Sequence, residues 1–287
     1  MKSGFVTLVG RSNVGKSTLL NALVGSKVAI VTPKPQTTRQ PVRGILHDPR
    51  GQIVFVDTPG IFLGKKDAVS MRLNQMAREQ LEGIDAVVYV LDPTRELGAE
   101  ENNIQKILKT LHLPIIMVIN KSDLPEKNRP HRAAMLVADV NQKMTLEISA
   151  LKHRELNRLV DALFDLLSEG EPHYPAAQLT DMEHKEWLEE LIREKVFLRL
   201  EEELPYSVKV EVTDMETRKN ASRFIAATIW TTEERYKKMI IGAKAQMVKL
   251  IGSDVRKELE LVTGTKLFLE LQVNVDPKWP QRFNTNI

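Results

Sequence analysis

The 287-residue chain contains no cysteine. That excludes disulfides, thiolate metal sites and thiol redox chemistry, and it suits a reducing cytoplasm. No stretch approaches the roughly 18 consecutive apolar residues of a membrane span. The first residues run straight into an apolar strand pattern, so no signal peptide is expected. The six histidines show no metal-ligand spacing and read as surface or structural residues. No internal repeat stands out beyond ordinary helix periodicity. The expected setting is cytoplasmic, the expected state monomeric.

What is present is concentrated in four short segments. Gly10-Arg-Ser-Asn-Val-Gly-Lys-Ser17 fits G-x-x-x-x-G-K-[ST]. An apolar run, Phe5-Val-Thr-Leu-Val9, precedes it and reads as a buried strand. Leu19, Leu20, Leu23 and Val24 follow at helical spacing, and Gly25 suits a helix end. Gly10 and Gly15 let the loop wrap with its N–H groups inward, a nest for phosphate that includes Val14 and Thr18. Lys16 would set its ammonium on the β- and γ-phosphates, and Ser17 its hydroxyl on Mg2+. The plain alternative, a glycine-rich turn with a surface lysine, fits the strand-loop-helix order poorly.

Ile53-Val-Phe-Val-Asp57 is a second apolar strand, followed by Thr58-Pro59-Gly60. Asp57 is a candidate Mg2+ ligand, and the Gly60 N–H a γ-phosphate donor. Pro114–Ile119 reads as a third strand, running into Asn120-Lys-Ser-Asp123. The Asp123 carboxylate can accept both the N1–H and the exocyclic amine of guanine. Adenine offers neither donor there, so Asp123 would select guanine by roughly 10⁴ or more and argues against an ATPase. Lys121 would lie over the base and Asn120 would tie this loop to the phosphate loop. A backbone N–H in Ser149-Ala150-Leu151 would meet the guanine carbonyl. In open α/β sheets ligands gather at the carboxyl ends of strands, so the four segments are expected to converge.

The second half has its own pattern. A helix near 155–167 closes the first domain, and residues 168–180, with two prolines, read as a linker. Beyond it the expected order is helix (183–203), strand (207–212), strand (224–230), helix (232–240), helix, strand (267–275). In the second of the adjoining helices Met247, Ile251, Val255 and Leu259 fall four apart. The tail from Asp276 carries two prolines and is not expected to be helical. Trp279 and Phe283 are expected to pack on the domain, the alternative being to stack on a base. Charge is segregated: residues 235–257 hold seven Lys/Arg and one acid, residues 183–216 eleven acids and five bases. The whole-chain balance of +3 conceals this. A basic stripe beside a glycine turn suits phosphate contacts, although a solvated helix face has the same composition.

The order GRSNVGKS, PQTTR, DTPG, NKSD, SAL resembles the translation-factor class of GTPases. The segment Lys34-Pro-Gln-Thr-Thr-Arg39 is similar to that of the Era-like family. The resemblance covers essentially the whole chain. It implies an α/β P-loop GTPase domain with a doubly wound, mostly parallel sheet (1–167), the linker (168–180) and a smaller α+β type II KH domain (181–287). It implies that Thr38 completes the Mg2+ shell when γ-phosphate is present. Residues 28–44 and 57–70 become two switches, ordered by γ-phosphate and released on hydrolysis. Lys16, Thr38 and Gly60 are then the candidate catalytic groups. Ile61 stands where many small GTPases carry a water-orienting glutamine, so slow intrinsic hydrolysis is expected. Asn13 is a candidate potassium ligand, the alternative being a hydrogen bond to the loop backbone.

In the KH-like part, Gly242-Ala243-Lys244-Ala245 takes the place of the backbone-clamping GxxG loop, with Lys237, Lys238 and Lys249 beside it. Ala245 departs from the second glycine, which is expected to weaken RNA binding without abolishing it. The implied partners are GTP and GDP, single-stranded ribosomal RNA near the 3′ end of the small-subunit RNA, and the small ribosomal subunit. A second domain that docks on a protein or an anionic inner-membrane surface is the alternative.

Overall fold

Apolar runs without alternation are what a strand buried on both faces requires, and three of them build the centre of the first unit. A computed structural model describes residues 1–60, 75, 79–81, 83–217 and 222–282. Strand β1 (Lys2–Val9) leads through the phosphate-type loop into helix α1 (Lys16–Val24). Then come β2 (Val42–Asp48), β3 (Gly51–Asp57), β4 (Ala86–Leu91) and α2 (Ala99–Lys109). Next are β5 (Ile115–Ile119), α3 (Arg132–Leu136), β6 (Met144–Glu147) and α4 (Leu156–Leu166). Every residue of β3, β4 and β5 is buried. The sheet order is β2-β3-β1-β4-β5-β6. Only β2 runs antiparallel, paired with β3. Crossovers leave β1 in opposite directions across the sheet, so the crevice of a doubly wound sheet opens at its carboxyl end, where the glycine loop begins.

The chain divides into two compact units, Met1–Asp181 and Met182–Ile287. The 168–180 segment is not a free tether: it is strapped to the first unit. The Ser3 N–H donates to Ser168 O (3.1 Å), that of Gly170 to Met1 O (2.8 Å) and that of Ile45 to Leu179 O (2.9 Å). Buried Gln52 accepts the N–H groups of His173 (2.8 Å) and Tyr174 (3.0 Å) and donates to the Tyr174 carbonyl (2.8 Å). Missing apolar periodicity hid this, because the strap is held by backbone and amide hydrogen bonds.

The second unit starts with α5 (His184–Arg199), whose Glu183 and Glu186 form a capping box. The helix stops short of residue 203. Glu201–Glu203 would stack negative charge on the negative end of the helix dipole, and a short 3-10 turn (Leu204–Ser207) with Pro205 follows. Strand β7 (Lys209–Thr217) runs five residues beyond the expected 212, past a bulge at Val212/Asp214. It pairs antiparallel with β8 (Arg223–Thr231). Helices α6 (Glu234–Ile241) and α7 (Gln246–Thr263) lead to β9 (Leu267–Val275), parallel to β8. Ile251, Val255 and Leu259 of α7 are buried against Leu188, Ile192 and Val196 of α5, and Met247 packs half-buried beside them.

The tail departs from expectation. Trp279–Arg282 forms one helical turn, α8, with Pro280 in the first turn, where no hydrogen bond is lost. Trp279 is buried, and its Nε1–H donates to Ser207 O (2.9 Å), so it packs. Phe283, and Ile61 to Ser70 of the second expected switch, lie outside the described residues. Among the described residues no helix is long and apolar enough to cross a membrane.

Candidate nucleotide site and nucleic-acid surface

The loop between β1 and α1 is shaped by close approaches. A Cβ at Gly10 would sit 2.4 Å from Val90 O, and one at Gly15 2.3 Å from Asn120 Nδ2. Gly15 also has φ 99°, a conformation that side chains rarely adopt. Asn13 takes a left-handed conformation (φ 64°), which asparagine tolerates. Lys16 is buried, and its ammonium donates to Gly10 O (3.0 Å) and Arg11 O (2.8 Å). Burial lowers its pKa, against the pull of Asp57 and Glu101.

At the end of β3, Asp57 is fully buried, which raises its pKa; Lys16, Ser17 and Thr38 act the other way. The Ser17 hydroxyl donates to Asp57 Oδ2 and lies 3.1 Å from Thr38 Oγ1. Asp57 Oδ1 is buried without a hydrogen-bond partner. Three converging oxygens with an unsatisfied carboxylate lone pair fit a hard divalent cation such as Mg2+. The site was expected to use Ser17, Thr38 and Asp57, and these are the oxygens that meet. Gly60 stacks against the loop, where a Cβ would lie 2.5 Å from Ser12 N.

At the end of β5, Asn120 bridges the two loops. Its Nδ2–H donates to Val14 O (2.9 Å), and its Oδ1 accepts the Ala150 N–H (3.0 Å). Asp123 accepts from the Ser149 hydroxyl (2.5 Å). Lys121 donates to Asp92 (2.5 Å), a buried residue at the end of β4 that sequence reasoning passed over. The only hint of Asp92 was an acid directly after an apolar strand. One cavity of about 380 Å³ is lined by Asn13, Gly15 to Thr18, Thr38, Gly60, Asn120, Lys121, Asp123 and Leu151. Ile30 to Pro33 form a further wall. Asn13 meets that wall: its Nδ2–H donates to Pro33 O (2.6 Å).

In the second unit Gly242 (φ 71°) ends α6, and a Cβ there would press 2.8 Å from Met247 Cβ. Ala243–Ala245 form a 3-10 turn in which Lys244 (φ 50°) and Ala245 (φ 59°) are both left-handed. Lys238, Lys244 and Lys249 are exposed beside the turn, and Lys237 is half-buried. The single acid of the stripe, Asp254, is bound by Arg199 (2.6 Å), whose guanidinium holds it below the usual carboxylate range. A groove of about 250 Å³ continues from the turn between α7 and β9, lined by Val248, Lys249, Gly252, Ser253, Arg256, Leu269 and Leu271. Its β9 wall escaped sequence reasoning. Gly252, a glycine inside a helix, was the available signal.

A cavity with a phosphate-type loop, an oxygen triplet and a guanine-type Asp123 defines a P-loop GTPase unit, here followed by a KH-type unit. Family models agree: "50S ribosome-binding GTPase" matches residues 5–121 and "KH domain" residues 203–280. GTPase Era of Halothermothrix orenii is 40% identical over 281 residues, covering 98% of this chain and 95% of that protein. GTPase Era of Treponema denticola is 38% identical, covering 99% and 98%. Two solved structures each superpose with a TM-score of 0.91 at 38% identity, covering 98% of this chain and 96% of theirs. They are Era in complex with MgGDPNP and nucleotides 1506–1542 of 16S ribosomal RNA, and an Aquifex aeolicus Era variant bound to GDP·AlF4⁻. The chain belongs to the GTPase Era family.

Proposed function

We propose that the chain is a GTP-hydrolysing switch that binds single-stranded RNA near the 3′ end of the 16S ribosomal RNA and assists small-subunit maturation. One observation carries the GTPase part: a single cavity is lined by Lys16, Ser17, Thr38 and Asp123, and Asp57 lies buried behind it, accepting the Ser17 hydroxyl. In this reading Lys16 leaves the Gly10 and Arg11 carbonyls for the phosphates. The N–H groups of Asn13 to Thr18 cradle them, and Gly60 donates to the γ-phosphate. Ser17, Thr38 and Asp57 hold Mg2+, which neutralises phosphate charge as the bond to the γ-phosphoryl group breaks. Asp123 accepts the two guanine donors, Lys121 covers the base, and the Ser149–Leu151 backbone meets the guanine carbonyl. Asn13 Oδ1, without a partner among the described residues, supports the reading of Asn13 as a potassium ligand. Asn13→Ala is expected to erase any excess of hydrolysis in potassium over sodium buffer; equal rates in both buffers for the native protein would end the potassium assignment.

The RNA part is supported by the Gly242–Ala245 turn, the surrounding lysines and the groove beyond them, together with the RNA-bound relative. A labelled single strand of the 16S 3′ sequence should bind the GDPNP and GDP forms with different affinity, and Lys244→Glu should weaken both. Binding to anionic vesicles in preference to that strand would replace RNA with a membrane surface as the partner.

A further inference from the structure

Arg95 stands behind the phosphate-type loop, outside the residues that line the cavity. Its guanidinium donates to the carbonyl of Ser12 (3.0 Å). The peptide between Ser12 and Asn13 is planar, with its C=O and N–H pointing opposite ways. A cation fixed on the Ser12 oxygen therefore fixes the direction of the Asn13 N–H as well, in a peptide whose two residues both line the cavity. It also polarises that amide, which strengthens the N–H as a donor.

Arg95 is held firmly enough for this. Asp92 Oδ1 accepts the N–H (3.0 Å) and the hydroxyl (2.7 Å) of Thr94, and Asp92 O accepts the Arg95 N–H (3.2 Å). The His131 N–H closes on Pro93 O (3.2 Å). The same turn reaches the other end of the cavity, because Asp92 Oδ2 takes the Lys121 ammonium (2.5 Å). One rigid turn after β4 thus touches the phosphate side through Arg95 and the base side through Asp92.

We infer that Arg95 is a positioning residue for GTP hydrolysis, acting through the Ser12–Asn13 peptide on the phosphate that the Asn13 N–H meets. This rests on the cavity being the GTP site. A donor aimed at charge that builds up as the γ-phosphoryl group leaves matters more in the transition state than in the bound nucleotide. The effect therefore belongs in kcat rather than in KM.

The test is single-turnover and steady-state hydrolysis, with ³¹P NMR of bound Mg·GDPNP and thermal melting, for the native protein, Arg95→Ala and Arg95→Lys. Arg95→Ala is expected to lower the rate about tenfold, as loss of one charged hydrogen bond predicts, with KM changed less than threefold. A phosphate resonance should move. Arg95→Lys, which keeps a cation for the Ser12 carbonyl, should recover most of the rate and the resonance position. Unchanged resonances, or a loss confined to KM or to melting temperature, would overturn the inference. Native protein that fails to take up GDPNP would overturn the proposed site itself, and this inference with it.

Discussion

Ala245 holds a backbone conformation (φ 59°, ψ 27°) that costs an alanine roughly 1 kcal/mol more than a glycine. The strain sits at the start of α7, beside the exposed Lys244. Alanine is the smallest side chain that could be placed there, and in the proposed RNA-binding role its Cβ would stand in the way of a nucleic-acid backbone. Ala245→Gly is therefore expected to do two things. It should raise unfolding free energy by about 1 kcal/mol, read from urea melts. It should also tighten binding of a single-stranded RNA. A variant less stable than the native protein would mean that the turn relaxes its strain elsewhere.

Helix α2 places a carboxylate under the phosphate-type loop. Glu101 is buried, 3.4 Å from the Tyr89 hydroxyl and 3.9 Å from Arg11 Nε. Burial pushes its pKa up to about 7; Arg11, Tyr89 and Lys16 oppose the rise, and Glu100 adds to it. The folded state thus holds this proton more tightly than the unfolded chain does. Stability should fall as pH rises from about 4.5 to about 7 and stay low above it. In nucleotide-free protein, Glu101→Gln should flatten that slope and be the more stable form at pH 8. Parallel pH profiles for variant and native protein would refute it. The strap at 168–180 gives a second prediction at this scale. Gln52→Ala removes the acceptor of the His173 and Tyr174 N–H groups, and should cost about 1 kcal/mol. Amide exchange should speed up along 168–180, and unchanged exchange there would show that the strap is held from elsewhere.

Across the whole molecule the chain divides into two compact units, one for each proposed task. Nucleotide can influence RNA only if RNA binds the GTP and GDP forms unequally, and the same factor must then appear in nucleotide affinity when RNA is added. RNA binding itself should weaken with salt. Four phosphate contacts from Lys237, Lys238, Lys244 and Lys249 give a slope of about −3 in log K against log salt, and Lys249→Ala should flatten it by about 0.7. A flat salt profile would rule out a phosphate-tracking surface.

Residue order alone carried the nucleotide site, because its chemistry depends on local strand-loop-helix segments whose glycines, lysine and acids are fixed by spacing. Strands such as Ile115–Ile119 were legible for the same reason: unbroken apolar runs have few other places to go. Three features were not legible, and each depends on groups far apart in the chain. The strap relies on Gln52, more than a hundred residues from His173. The β9 wall of the groove is set by how α7 packs on the sheet. Asp92 and Arg95 act on Lys121 and Ser12 through contacts that no spacing encodes. Local chemistry can be read from neighbours in sequence, whereas polar groups satisfied across the fold become visible only when the chain has closed on itself.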